Sequence, residues 1–429
     1  MQGSILFSCI LFFALSLFSV NLWKIVRNIR LGKSKNRFDQ PLKRTIILLK
    51  VAFGQTKLFH RPVSGILHAL VYWGFLVITI GTLEMMVDGV FGFERLFGAL
   101  GSFYNLVTAS GDIMAVLVLV SSFIFMFRRL FLKIKRFSGK EMKKSSSIDA
   151  IVALVIIVFL MISLLTMNIG YIGLHPENYF GSFPVSNLLF PYFATWDLHL
   201  LHTISWWTHI MLVLIFLNEL PYSKHFHVVM SIPNVYFSNI ESLGKMENMP
   251  SVTKEVKLMM NPNTDQYAIP ATDTPTLESF GAKDVTDLNW VQLMNAYSCT
   301  ECGRCTSECP ANQTGRLLSP RKIMMDTRQR LKEVGKNIDK YGKGYSDNKS
   351  LLNDYISKEE LWACTTCNAC TQACPLNIDP LSIIVDLRRY LVMQESAAPK
   401  ELNMMFTNVE NNGAPWQFPA ADRLKWKDE

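Results

Sequence analysis

The sequence predicts an all-α membrane protein: a five-helix transmembrane bundle followed by an α-helical domain outside the bilayer. Three features predict it. The 429 residues are 49% hydrophobic but only 18% charged, against roughly 25% charged in soluble chains. The apolar residues gather in long runs in the first half of the chain, and eight of the nine cysteines fall into two tight groups late in it. A disordered chain, a collagen-like chain and a simple soluble globule are thereby excluded.

Crossing about 30 Å of hydrocarbon takes about 20 mostly apolar residues. Five segments qualify, residues 5–26, 63–87, 106–127, 148–170 and 199–220, the last stopping at Pro221. The first reads as a retained helix rather than a cleaved leader, because basic residues follow its long apolar run instead of preceding it. Lys24, Arg27, Arg30, Lys33, Lys35, Arg37, Lys43 and Arg44 come after the first helix. Arg128, Arg129, Lys133, Lys135, Arg136, Lys140, Lys143 and Lys144 come after the third, and the loop after the fourth has no Lys or Arg. The positive-inside rule therefore predicts an N-terminus outside and everything beyond Pro221 in the cytoplasm. Basic loops against anionic lipid account for the formal charge of +8 without nucleic acid.

The membrane domain is read as residues 1–230. A Pro-, Asn- and Thr-rich linker spans 231–287 and includes Pro233, Pro262, Pro270 and Pro275. A soluble domain follows at 288–400, with a tail at 401–429 for partner docking. The domain holds the one internal repeat: Cys299, Cys302, Cys305, Cys309-Pro310, then Cys364, Cys367, Cys370, Cys374-Pro375. Both runs are C-x2-C-x2-C-x3-C-P, the spacing in which each run's fourth Cys ligates the other run's cluster. One [4Fe–4S] cluster is thus assigned to Cys299, Cys302, Cys305 and Cys374, and a second to Cys364, Cys367, Cys370 and Cys309. Structural zinc favours separated CxxC pairs, and cytoplasmic placement disfavours disulfides. Helical patterns at 320–334 and 380–393 make this an α-helical double-cluster ferredoxin domain.

A histidine inside a membrane helix is a functional candidate, and haem b takes two axial imidazoles from facing helices. At 1.5 Å per residue, His68 lies about 9 Å into its helix from the cytoplasmic end, His209 about 18 Å and His202 about 28 Å. Depth therefore pairs His68 with His209. It also sets His60 level with the segment after Pro221, where His227 or His225 is its partner. His199 and His202 read as packing residues near the outer surface.

The run from Trp207 to Phe237, WTHIMLVLIFLNELPYSKHFHVVMSIPNVYF, resembles the last helix of the cytochrome b subunits of the respiratory nitrate reductase gamma type and of heterodisulfide reductase membrane subunits. The resemblance implies haem ligation by His209 and by His227, which follows the Pro221-Tyr222-Ser223-Lys224 turn. GILHALVYWGF, carrying His68, resembles the family's second helix; His60 departs from the family in its distance from His68. The C-terminal part resembles the heterodisulfide reductase iron–sulfur subunit. The tail from Asn408 to Trp426 resembles the segment that precedes a cysteine-rich CCG domain in related fused chains.

The implied fold is a cytochrome b bundle fused to a ferredoxin domain in a bacterial or archaeal cytoplasmic membrane. The implied function is that of the quinone-reactive electron-transfer subunit of a multi-subunit oxidoreductase. It links menaquinone or ubiquinone, through one or two haems b and two [4Fe–4S] clusters, to a soluble CCG-domain subunit or flavoprotein. Glu84, Asp112 and Asn168 are polar groups a quinone site could use. The alternative is a non-haem membrane anchor whose ferredoxin module docks a partner.

Overall fold

The five apolar runs form helices longer than the hydrocarbon requires, so their polar ends project into the flanking layers. These are α1 (Gln2–Ile29), α2 (Pro62–Phe91), α3 (Ser102–Phe131), α4 (Lys144–Leu174) and α5 (Leu198–Glu219). By length and composition all five can cross a membrane. The computed structural model describes residues 2–132, 134–137, 139, 141–177, 179–261, 279–417 and 419–428. Lys133, Lys140 and the stretch of the expected linker from 262 to 278 lie outside them.

Within the bundle α2 packs on α3, α3 on α4 and α4 on α5. Ala115, Val118, Leu160, Met161 and Leu165 form the shared middle. In lipid, helices associate through close packing rather than a hydrophobic driving force, and small residues permit it. Gly74 does so here, since a Cβ on it would come within 2.5 Å of Val118 Cγ2.

At the end of the bundle away from the cysteine domain, buried carboxylates fasten the loops. Glu84 accepts from Tyr104 Oη at 2.8 Å and from the Phe97 amide at 2.9 Å. Asp112 accepts from the Val185 and Ser186 amides at 2.8 and 2.9 Å and from the Ser186 hydroxyl at 2.5 Å. Asn168 accepts from Arg95 at 3.0 Å. These three residues are spent on closing the fold, which satisfies them as buried polar groups require.

Beyond Pro221 the chain turns through Lys224–Phe226 into α6 (His227–Tyr236). The cysteine domain contributes α7 (Trp290–Ser298), α8 (Arg304–Ser307), α9 (Pro320–Tyr341), α10 (Ala369–Ala373) and α11 (Pro380–Arg389). The tail carries α12 (Lys400–Asn412). No strand occurs among the described residues. Asn289 caps α7 in a capping box with Gln292, and Asp379 caps α11 by accepting from the Ser382 amide at 3.2 Å, each satisfying helix-end donors.

The bundle and the cysteine domain share one core. It joins Ile25, Ile29, Leu220, Phe226 and Met230 to Leu293, Met294, Ile323, Leu331, Ile383 and Leu387. The expected boundary at 231 therefore cuts through α6, which packs on α7. The basic loops are also spent differently from the lipid-facing reading. Arg44 is fully buried, donating to the carbonyls of Tyr236 at 3.1 Å and Ser238 at 2.9 Å and pairing with Asp39 at 2.8 Å. The Lys33 amide donates to Leu288 O at 2.8 Å, and the Arg136 carbonyl accepts from Arg321 at 2.6 Å. Both loops and the segment after Pro221 thus meet the cysteine domain at one end of the bundle.

Candidate functional site

The cysteine repeat in the sequence is also a repeat in the backbone. Glu301 and Thr366, third in their runs, both take φ +56°, and Gly303 and Asn368, fifth, take φ +72° and +61°. Two left-handed residues inside a run coil it tightly, and glycine and asparagine adopt that conformation at low cost. Gly303 has a second reason to lack a side chain, because a Cβ there would meet Arg321 Nη1 at 2.7 Å and the Arg136 carbonyl at 3.0 Å. Each run then enters a short helix, α8 or α10, and leaves it at an extended Cys before proline, Cys309 or Cys374.

Because α8 packs on α10, the fourth cysteines cross over. Cys299, Cys302, Cys305 and Cys374 line one cavity, walled also by Arg304, Arg321, Met324 and Ile378. Cys309 lies within electrostatic reach of Cys364, as does Cys367. Among the described residues no three His, Cys, Asp or Glu side chains converge on a single ion. A cubane asks for something else, since each of its thiolates takes a different iron.

Five of the thiols, Cys299, Cys305, Cys364, Cys370 and Cys374, resist ionisation as they stand. Burial, and then the neighbouring cysteines, push Cys305 well above the ordinary thiol range. Burial pushes Cys299 to about 11 and Cys370 and Cys374 to about 12. Cys299, Cys305 and Cys374 on one cavity need a cationic centre to hold them ionised, and a metal cluster supplies it. The donor set therefore fits an iron–sulfur cluster.

Histidines gather where the bundle meets this domain. The His68 and His227 rings stand 6.3 Å apart between centroids, with planes at 38°. A metal–imidazole bond of about 2 Å, with the ring centre about 1.1 Å behind the nitrogen, puts two imidazoles on opposite sides of one metal about 6.3 Å apart. His227 Nδ1–H donates to the Lys224 carbonyl at 3.2 Å, the kind of bond that orients a ligating imidazole. His68 Nδ1 is buried without a partner in the described residues. Burial holds His227 below its usual range, and burial with the adjacent His227 does the same to His225. Both are neutral, as ligands must be.

The depth arithmetic pairs His68 with His209 and His60 with His227; the fold sets His68 against His227. The turn after Pro221 returns the chain, so that α6 begins level with the first turns of α2. His60 is exposed in the loop before α2. His209 is 1% exposed, its Nδ1–H donates to the Leu160 carbonyl at 3.0 Å, and its Nε2 is buried with no partner in the described residues. His202 lies at the far end against the Tyr171 ring, 6.4 Å between centroids.

Arg304, between two cysteines of its run, links the two centres. It donates to the Lys57 and Leu58 carbonyls at 3.1 and 3.5 Å, in the turn just before α2. Asn234 on α6 donates to the Leu376 carbonyl at 2.7 Å, two residues past Cys374. It also accepts from Asn295 at 3.1 Å. Sequence reasoning passed over both residues. The one signal for Arg304 was its place inside the ligand run.

Residues 298–378 match the family model of a 4Fe-4S dicluster domain. Over its full length the chain is 29% identical to a probable iron-sulfur-binding oxidoreductase, FadF, of Bacillus subtilis, covering 62% of that protein. Over 98% of its length it is 27% identical to an EtfAB:quinone oxidoreductase of Syntrophomonas wolfei, covering 59% of that protein. A quarter of the chain is 32% identical to one polypeptide of a ferredoxin/F(420)H(2)-dependent CoB-CoM heterodisulfide reductase of Methanosarcina acetivorans, covering 53% of that polypeptide. The chain thus spans about three-fifths of the first two relatives. Its relatives are iron–sulfur oxidoreductases and heterodisulfide reductase subunits. No solved structure matches.

Proposed function

We propose that the chain passes electrons between a quinone in the membrane and a soluble redox partner. The route uses a haem b held by His68 and His227, a [4Fe–4S] cluster on Cys299, Cys302, Cys305 and Cys374, and a second on Cys364, Cys367, Cys370 and Cys309. When bound, these groups supply one-electron carriage. The chain's own residues set the order: His68 lies within electrostatic reach of Arg304, which lines the Cys299/Cys302/Cys305/Cys374 cavity, while the other group includes the exposed Cys367. The partner docks at that edge and is a flavoprotein or a CCG-domain subunit. The relative named EtfAB:quinone oxidoreductase supports a quinone at the membrane end, and the basic loops support a cytoplasmic cysteine domain.

The carrying observation is the 6.3 Å ring separation of His68 and His227. Reduced-minus-oxidised visible spectra of the purified chain test it. A sharp b-type band, lost in His68→Ala and His227→Ala and kept in His60→Ala, is expected; iron–sulfur absorption alone would reduce the protein to a membrane-anchored ferredoxin.

The unpartnered Nε2 of His209 favours one further reading, a second haem deeper in the bundle. Two haems per chain, falling to one in His209→Ala, is the result that reading requires.

A further inference from the structure

The two cysteine groups are built from one repeat but sit in different electrostatic surroundings. Around Cys299, Cys302, Cys305 and Cys374, Lys57 Nζ donates to the Cys374 carbonyl at 3.3 Å. Arg328 Nη1 donates to the Cys299 carbonyl at 2.8 Å. Arg304 and Arg136 lie within electrostatic reach of Cys302. Two carboxylates oppose these cations: Glu301 pairs closely with Arg328, and Glu141 pairs with Arg321 at 2.6 Å. Lys57, Arg136 and Arg304 pair with no carboxylate among the described residues. Around the other group, Arg388 donates to the Cys364 carbonyl at 2.5 Å, and the Asp379 carboxylate acts on Cys370 in the opposite sense. Amide donors do not separate the groups. Glu301, Leu376 and Ile378 serve the first, while Thr366 and Thr371 serve the second.

A reduced cluster carries one more negative charge than an oxidised one, so uncompensated cations favour reduction and raise the midpoint potential. Solvent at Cys367 also favours reduction, in the other cluster. The cations prevail because they act through protein, at an effective dielectric constant of about 20 rather than 80, and Arg304 is only 7% exposed.

We propose that Lys57, Arg136 and Arg304 make the Cys299/Cys302/Cys305/Cys374 cluster the higher-potential of the two. This rests on the two-cluster reading above.

The test is an EPR-monitored redox titration of the full chain in detergent, for the natural protein and for Arg304→Gln, Lys57→Gln and Arg388→Gln. Arg304→Gln and Lys57→Gln should each lower the higher midpoint, cutting the reduced-to-oxidised ratio of that cluster about tenfold at fixed potential, or about 59 mV. Arg388→Gln should lower the other midpoint alone. Lys57→Gln, a loop substitution, carries the test should Arg304→Gln misfold. The charge argument is overturned if the midpoint moved by Arg304→Gln or Lys57→Gln lies below the one moved by Arg388→Gln, or if neither variant moves one. Iron far below about eight atoms per chain, expected for two [4Fe–4S] clusters, would instead overturn the reading beneath it.

Discussion

Asn234→Ala should loosen the joint between the bundle and the cysteine domain. Asn234 is fully buried on α6, seven residues past His227. It donates to the Leu376 carbonyl at 2.7 Å and accepts from Asn295 Nδ2 at 3.1 Å. Asn295 Oδ1 in turn accepts from the Asp379 amide at 2.8 Å, at the cap of α11. Truncation leaves the part-buried Leu376 carbonyl without its partner, while Asn295 keeps a bond to the Val291 carbonyl at 2.9 Å. One orphaned part-buried acceptor and one weakened buried donor cost about 2–3 kcal/mol together. Alanine's better helix propensity returns about 0.6 kcal/mol, for a net loss of about 2 kcal/mol. Denaturant unfolding of the detergent-solubilised protein, followed by visible cluster absorbance, reads it. Asn295→Ala and the double variant complete a cycle, whose coupling should exceed about 0.5 kcal/mol as for contacting residues. A loss in Asn234→Ala below about 0.5 kcal/mol would refute the account of this network as a structural joint.

Three further outcomes are expected. Cys374→Ser should abolish the EPR signal of the cluster on Cys299, Cys302 and Cys305, and Cys309→Ser that of the cluster on Cys364, Cys367 and Cys370; loss of the same signal in both would refute the crossed ligation. Gly65→Ala should lower thermal stability and haem content together, because its Cβ would come 2.5 Å from the Leu58 carbonyl and overpacking costs about 1–3 kcal/mol; an unchanged melting temperature would count against that close approach. Burial, with Arg328 nearby, pushes Lys332 from 10.5 down to about 8. Such a lysine binds its proton less tightly folded than unfolded, so stability should rise as pH climbs between those values. The rise is about 1–2 kcal/mol once partial exposure is discounted. Lys224, also held at about 8, adds to it, so Lys332→Met should roughly halve the slope of melting temperature against pH. An undiminished slope would show that the charge lies elsewhere.

Length and apolarity made the five membrane helices legible, with ends off by a few residues because the polar turns at their ends carry no hydropathy signal. The coiling of each cysteine run was legible because spacing within a run constrains a tight coil directly. Histidine pairing was not, because it depends on how the chain returns after Pro221. A one-dimensional depth count cannot see that the Lys224–Phe226 turn lifts His227 back beside His68. What the basic loops touch was not legible either, for a related reason. Positive charge near a helix end reads equally as lipid contact or as a docking surface, and only the fold reveals Arg44 buried against α6.

What makes a conducting unit, rather than two fused modules, is rigidity between the centres. α6 begins with His227, and seven residues on, about 10 Å along a helix, Asn234 holds the loop next to Cys374. From the other side Arg304, inside a ligand run, holds the carbonyls of Lys57 and Leu58, and Gly65 of α2, three residues before His68, packs on the Leu58 carbonyl. Two independent struts thus tie both imidazoles to the same cysteine group, and one apolar core holds Phe226, Met230 and Met294 together with Cys299. An anchor that merely tethered a ferredoxin would need neither strut. Their convergence on the one cluster that faces the bundle is the physical argument for electron passage through this joint.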